Sequence, residues 1–149
     1  MSTVGTGAAA SPDRLSTSKP ERSHLACFTA RDLHSATVLV TAECDIDACN
    51  ARDLVDYAER KSVLYPKLIL DLSRVDFFGT QGFSALHKVN VSCSGRGVTW
   101  AAVPSREVMR LLRICDPGGR LPLAVTVEAA MAMLKQGLRR HLELIPHAD

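Results

Sequence analysis

The stretch Asp71-Leu72-Ser73-Arg74-Val75-Asp76-Phe77-Phe78-Gly79-Thr80-Gln81-Gly82-Phe83 decides the fold. It begins at the end of an apolar run, Lys67–Leu72 (KLILDL), in which Leu68 and Leu70 alternate with Ile69. Both faces of that run are apolar, as in a central strand covered by helices. After the stretch, Phe83, Leu86, Asn90 and Cys93 share one helical face, with Val89 beside it. This predicts a helix from Thr80 to about Ser94, ended by Gly95 and Gly97. A buried strand thus passes through a short loop into a helix at Thr80. In open α/β sheets the C-terminal edge of the strands is where ligands and partners are met.

Upstream, Ala36–Ala42 (ATVLVTA) is dense in β-branched residues and reads as a strand, preceded by a short one at Leu25–Thr29. The link between them is short, so an antiparallel pair is expected. Asp47 is placed to cap a helix from Ala48 to about Lys61, whose stripe is Ala51, Leu54, Val55 and Ala58. Downstream, Val98–Val103 is a strand. Ser105 caps a helix with Val108, Leu111, Leu112 and Cys115 inward, and Asp116–Gly119 (DPGG) is a turn. Pro122–Val125 reads as a short last strand. Thr126 caps a final helix with Met131, Leu134 and Leu138 inward. The predicted order is ββαβαβαβα: an α/β domain with a mixed, mostly parallel sheet and right-handed crossover helices. Residues 1–22, rich in Ser, Thr, Gly, Ala and Pro, bury too little to order themselves and read as a flexible tail, leaving residues 23–145 as a single domain.

Composition narrows the function. A net charge of +2, scattered basic residues and 5% aromatics argue against nucleic-acid grooves and base stacking. No stretch is apolar enough to span a bilayer and the N-terminus lacks a secretory pattern, so the cytoplasm is expected. The five cysteines and five histidines match no zinc spacing, and no metal or other cofactor is expected. Gly95-Arg96-Gly97 lacks the third glycine of a dinucleotide loop, there is no Walker A sequence, and Gly79-Thr80-Gln81-Gly82 is too short for a nucleophile elbow. His87 lies two turns beyond Thr80, too far to activate its hydroxyl. An enzyme is therefore not expected.

Thr80 itself admits two readings. It caps the helix, or it accepts a phosphate that would face the first-turn N–H groups and the positive end of the helix dipole. Cys93 and Cys115, near the ends of successive helices, are either small buried hydrophobes or a redox-sensitive pair. Cys49 is expected in the first turn of a helix.

The sequence resembles the STAS domain family, and within it the bacterial anti-sigma factor antagonists, over about residues 24–140. Ala42-Glu43-Cys44-Asp45 is similar to the family's Gly-Glu-aliphatic-Asp. Asp71-Leu72-Ser73-Arg74-Val75 matches its Asp-Leu-Ser-x-Val, and Phe77–Phe83 is set against its Asp-Ser/Thr-x-Gly-Leu. The resemblance implies a STAS-like (SpoIIAA-like) fold. It also implies a regulatory cycle in which an ATP-binding, kinase-type anti-sigma factor phosphorylates Thr80, the unphosphorylated protein binds that factor and frees a sigma factor, and a phosphatase resets the system. Docking is then expected at an edge containing Asp45, Phe78, Gly79, Gln81, Gly82 and Phe83. Gly79 stands where the family carries an acidic residue. That departure favours an alternative, a STAS interaction module that is not phosphorylated and serves a larger signalling or lipid-transport complex.

Overall fold

The protein's structure, a computed structural model, describes residues 21–23 and 26–144. Five strands, β1 (Glu21–Ser23), β2 (Ala26–Leu33), β3 (Thr37–Ile46), β4 (Lys67–Phe78) and β5 (Thr99–Pro104), lie in the sheet in chain order. The helices are α1 (Ala51–Ser62), α2 (Thr80–Arg96), α3 (Arg106–Cys115) and α4 (Val127–Leu144). β1–β2 and β2–β3 are antiparallel hairpin pairs, and β3–β4 and β4–β5 are parallel pairs joined through α1 and α2. The mixed sheet with crossover helices is as expected, but parallel and antiparallel pairings are equal in number.

Two elements differ from the sequence reading. Glu21–Ser23, mostly assigned to the tail, pairs with Ala26–Phe28 as an extra edge strand. The tail before it lies outside the described residues. The expected last strand, Pro122–Val125, contracts to a single parallel bridge between Leu123 and Ala102, closed by Ala102 N–H to the Pro122 carbonyl and Ala124 N–H to the Ala102 carbonyl. Asp116 explains why. Its carboxylate accepts the N–H groups of Arg120 and Leu121 at 3.0 and 3.1 Å and holds the chain in a turn almost up to the bridge. Those two bonds, that of Arg120 first, keep the Asp116 carboxyl below the usual carboxylate range.

The alternation in β3 and β4 builds two cores. Val38, Val40, Ala42, Leu68, Leu70 and Leu72 face Leu54, Val55, Tyr57 and Ala58 of α1, Leu86, Val89 and Cys93 of α2, and Val108 and Leu112 of α3. Ile69, Ala101 and Val103 face the opposite way, onto Ala130 and Leu134 of α4, with Met131 partly buried beside them. Leu138 lies outside the described side chains. Helices therefore cover both faces of β4, as its two-sided apolar pattern requires. Two expected caps form: the Ser105 hydroxyl accepts from Val108 N–H at 3.2 Å, and the Thr126 hydroxyl from Ala129 N–H at 3.0 Å. Gly97 ends α2 in the left-handed region (φ 71°), where a side chain would be strained.

Candidate docking edge at the strand ends

β4 does not stop at Leu72 as the sequence suggests; it runs on through the presumed loop to Phe78. Its pairing with β3 explains the misreading. Thr41 and Glu43, two apart, face Asp71 and Arg74, three apart; Cys44 and Asp45, adjacent, face Val75 and Phe77, two apart. Each step inserts one extra residue into β4, a β-bulge. The inward positions consequently shift from every second residue to every third: Leu72, Val75 and Phe78. The Asp71 carboxylate satisfies the displaced backbone at the first bulge, accepting the Ser73 N–H at 3.0 Å and the Ser73 hydroxyl at 2.6 Å. The Asp-Leu-Ser motif is thus a bulge-forming device. The Glu43–Arg74 ion pair at 3.1 Å spans the same step. Both side chains are exposed, so it contributes at most about 1 kcal/mol.

The bulged strand brings Asp45 opposite Phe77 and Ile46 opposite Phe78, and the Gly79 N–H donates to the Ile46 carbonyl at 3.0 Å. The Asp45 end of β3 and the start of α2 therefore form one edge. Gly79, not Thr80, is the N-cap of α2. It is extended (φ −84°, ψ 178°) and offers no side-chain cap, and the first turn of the helix holds no acidic residue. Thr80 is the first helical residue. It is exposed, and its hydroxyl donates to the Gln81 side-chain oxygen at 3.2 Å. The first turn itself supplies no carboxylate to offset the positive helix end beside this hydroxyl.

The two phenylalanines divide their roles. Phe78, expected at the surface, is 5% exposed and lies under α2, whereas Phe77 is 53% exposed on the edge. Gly82 is likewise buried. A Cβ there would lie 2.6 Å from the Phe78 ring, so the glycine permits helix and ring to touch. Gln81 is exposed, and half-buried Phe83 stacks on the His87 ring, centroids 6.4 Å apart. The accessible part of the expected set is Asp45, Gly79, Thr80, Gln81 and Phe83, joined by Phe77.

The loop from β3 to α1 also departs from expectation. α1 begins at Ala51, not Ala48. Asp47 instead folds a turn, its carboxylate accepting the Cys49 N–H at 2.8 Å and its carbonyl the Ala51 N–H at 3.0 Å. Cys49 is exposed in that turn rather than within the helix. Asn50, which sequence reasoning passed over, is fully buried. Its amide donates to the Asp45 carbonyl at 2.9 Å and its side-chain oxygen accepts the Asp47 N–H at 3.0 Å. The Asp47-x-x-Asn50 spacing, that of a reciprocal cap, is the signal that marks it.

Cys93 and Cys115 are not joined; both are free thiols. Cys93 is 1% exposed, and burial pushes its thiol up to about 11, against a smaller opposing pull from Arg96. Such a thiol is inert. A thiol reagent at pH 8 is expected to label exposed Cys49 at once and Cys93 only after unfolding. Mass spectrometry of the peptides over time checks this, and rapid native labelling of Cys93 would contradict its burial.

The STAS domain family model matches residues 30–130 of this chain. The chain belongs to the STAS domain family. It is 32% identical over 117 residues to Osmosensory protein A of Mycobacterium tuberculosis, covering 76% of this chain and 74% of that one. It is 31% identical over 103 residues to the anti-sigma-F factor antagonist RsfA of the same species, covering 66% and 80%. Among solved structures, an anti-sigma factor antagonist from Mycobacterium paratuberculosis superposes with a TM-score of 0.66 at 21% identity, over 74% of this chain and 94% of that one. Unphosphorylated SpoIIAA does so with 0.56 at 13% identity, over 80% and 99%. These last two establish the fold: a STAS domain of the SpoIIAA-like kind. Among the described residues, no helix is long and apolar enough to cross a membrane. The STAS motifs noted in the sequence now have physical roles. Asp71 and Ser73 make the bulge, Asp45 is the penultimate residue of β3, and Thr80 opens α2.

Proposed function

We propose that this chain is an anti-sigma factor antagonist. It binds a kinase-type anti-sigma factor through the Asp45–Phe77–Thr80 edge, frees the cognate sigma factor, and is released when Thr80 is phosphorylated. The reading makes it a cytoplasmic docking protein and kinase substrate, not an enzyme, with a phosphatase to reset it. The observation that carries it is the exposed Thr80 hydroxyl on the first residue of a helix whose own first turn holds no acidic residue, at the edge that Asp45 shares. The likeness to RsfA over four fifths of that protein supports the choice of partner. A phosphate there suits the helix dipole, so the fold tolerates it, while its charge of about −1.5 to −2 opposes a close interface.

Thr80→Glu is expected to weaken binding to the anti-sigma factor at least about tenfold while leaving the melting temperature within about 2 °C. Calorimetry against the kinase-type anti-sigma factors of the source organism measures the first, and thermal unfolding the second. Undiminished binding by the Glu variant would remove the phosphate switch. Gly79 favours a second reading, in which the same edge docks a partner without phosphorylation. A Cβ at Gly79 meets nothing closer than 3.4 Å, so Gly79→Asp fits and supplies the missing cap. Phosphorylation of Thr80 in the wild type, read by mass spectrometry after incubation with the anti-sigma factor and ATP, supports the first reading. Phosphorylation only in Gly79→Asp supports the second.

A further inference from the structure

Beside the Thr80 turn, α1 and α2 enclose a shallow groove of about 140 Å³. Its floor is apolar and small, Ala51, Val55 and Ala85, and its rim carries Arg52 from α1 and Lys88 from α2. No carboxylate lines it. Arg52 and Lys88 are both exposed, and among the described residues no ion pair or hydrogen bond engages either side chain. Two positive charges from different helices thus converge on one concavity whose lining holds no carboxylate. The groove is below the roughly 300 Å³ of a small-molecule or nucleotide pocket, but it suits one carboxylate side chain. Gln81 lines the same groove and accepts the Thr80 hydroxyl, so groove and Thr80 turn are one continuous surface.

We infer that this groove receives an aspartate or glutamate side chain of the docked anti-sigma factor, its methylenes on the alanine floor and its carboxylate between Arg52 and Lys88. The inference rests on the docking reading above and adds the chemistry of the contact. It also supplies a reason for release. A phosphate of about −1.5 to −2 on Thr80, joined to the groove through Gln81, adds negative charge at its edge and weakens the attraction for the carboxylate.

The test is calorimetric binding of the full chain to the anti-sigma factor, with the double variant Arg52→Glu/Lys88→Glu beside a control reversal on α3, Arg110→Glu/Arg113→Glu. The groove variant is expected to bind at least about tenfold more weakly and to lose most of the salt dependence of the wild type, while the α3 variant binds within about twofold. All four positions are exposed, so melting temperatures should match. If the groove reversal fails to fold, the milder Arg52→Gln/Lys88→Gln is measured instead, with about a threefold loss expected. Wild-type-like binding by the groove variant overturns the inference and leaves the docking reading intact. Equal losses in the groove and α3 variants also overturn it, because the effect is then general charge steering. Absence of any binding by the wild type overturns both.

Discussion

Replacing Gly82 with valine is expected to destabilise the protein by about 3 kcal/mol and to unseat the Thr80 turn. A Cβ at this position would lie 2.6, 2.7 and 2.8 Å from three carbons of the Phe78 ring, distances that real Cβ atoms do not adopt. The ring cannot swing outward, because Phe78 is 5% exposed and packed between the sheet and α2. Nor can α2 withdraw cheaply: Gly82 lies two residues inside its N-terminus, and the Gly82 N–H is bonded to the Gly79 carbonyl at 2.8 Å. Alanine brings the same Cβ but gains about 1 kcal/mol of helix propensity over glycine, so Gly82→Ala should cost less than valine, about 1–2 kcal/mol. Shrinking the ring separates clash from propensity. Gly82→Ala combined with Phe78→Leu is expected to be more stable than the sum of the two single changes implies, because the two positions touch. Urea unfolding of the four variants measures the coupling. Additive effects would mean that the helix and the ring do not press on one another.

The second large effect is expected from Asn50→Ala, about 2–3 kcal/mol, which is high for a polar residue in a loop. Asn50 is fully buried and makes two bonds to main-chain groups of the turn ahead of it, one as donor to the Asp45 carbonyl and one as acceptor from the Asp47 N–H. Alanine removes both bonds from a partly buried loop. Asn50→Asp keeps the acceptor but replaces the donor by an oxygen facing the Asp45 carbonyl and buries a charge, so it is expected to cost more than alanine. The consequence reaches the docking edge, because the turn held by Asn50 sets where Asp45 stands opposite Phe77. Thermal unfolding gives the stability change. Amide exchange at Cys49 and Ala51, whose N–H groups bond to Asp47, is expected to rise locally in Asn50→Ala. Stability within about 0.5 kcal/mol of the wild type would show the two bonds to be dispensable.

These two residues also mark the limit of what could be read from the chain. Gly82 and Phe78 stand four apart, and the sequence places both on the surface edge. Only the packing of α2 onto β4 turns the pair into an internal contact. The periodicity of Val108 and Leu112, the caps Ser105 and Thr126, and the two-sided run Leu68–Leu70 were legible because each depends on neighbours within a turn or on alternation along one strand. Ser73–Phe78 was not, because its inward residues recur every third position. That spacing is not the period of two that marks a strand, and two bulges against β3 produce it. In sequence Thr80 fits both a cap and a phosphate acceptor. The structure makes Gly79 the cap residue and leaves the Thr80 hydroxyl exposed on the first turn.

By itself the sequence determined the α/β class, the central strand at Lys67–Leu72, the four helices around it and the junction at Thr80, since hydrophobic spacing and capping chemistry are local properties. Tertiary structure alone decided which side of that junction faces outward. It carried β4 through the apparent loop, buried Phe78 and Gly82, exposed Phe77, closed the Asp45 turn on Asn50, and brought Arg52 and Lys88 to one groove. The course of β4 past Leu72, the exposure of Phe77 and the Arg52–Lys88 groove depend on contacts between segments far apart in the chain, whose geometry is set by how the sheet twists and the helices seat on it; Phe78–Gly82 and Asp45–Asn50 are near in sequence, but they meet inside the protein only once β3, β4 and the helices have packed.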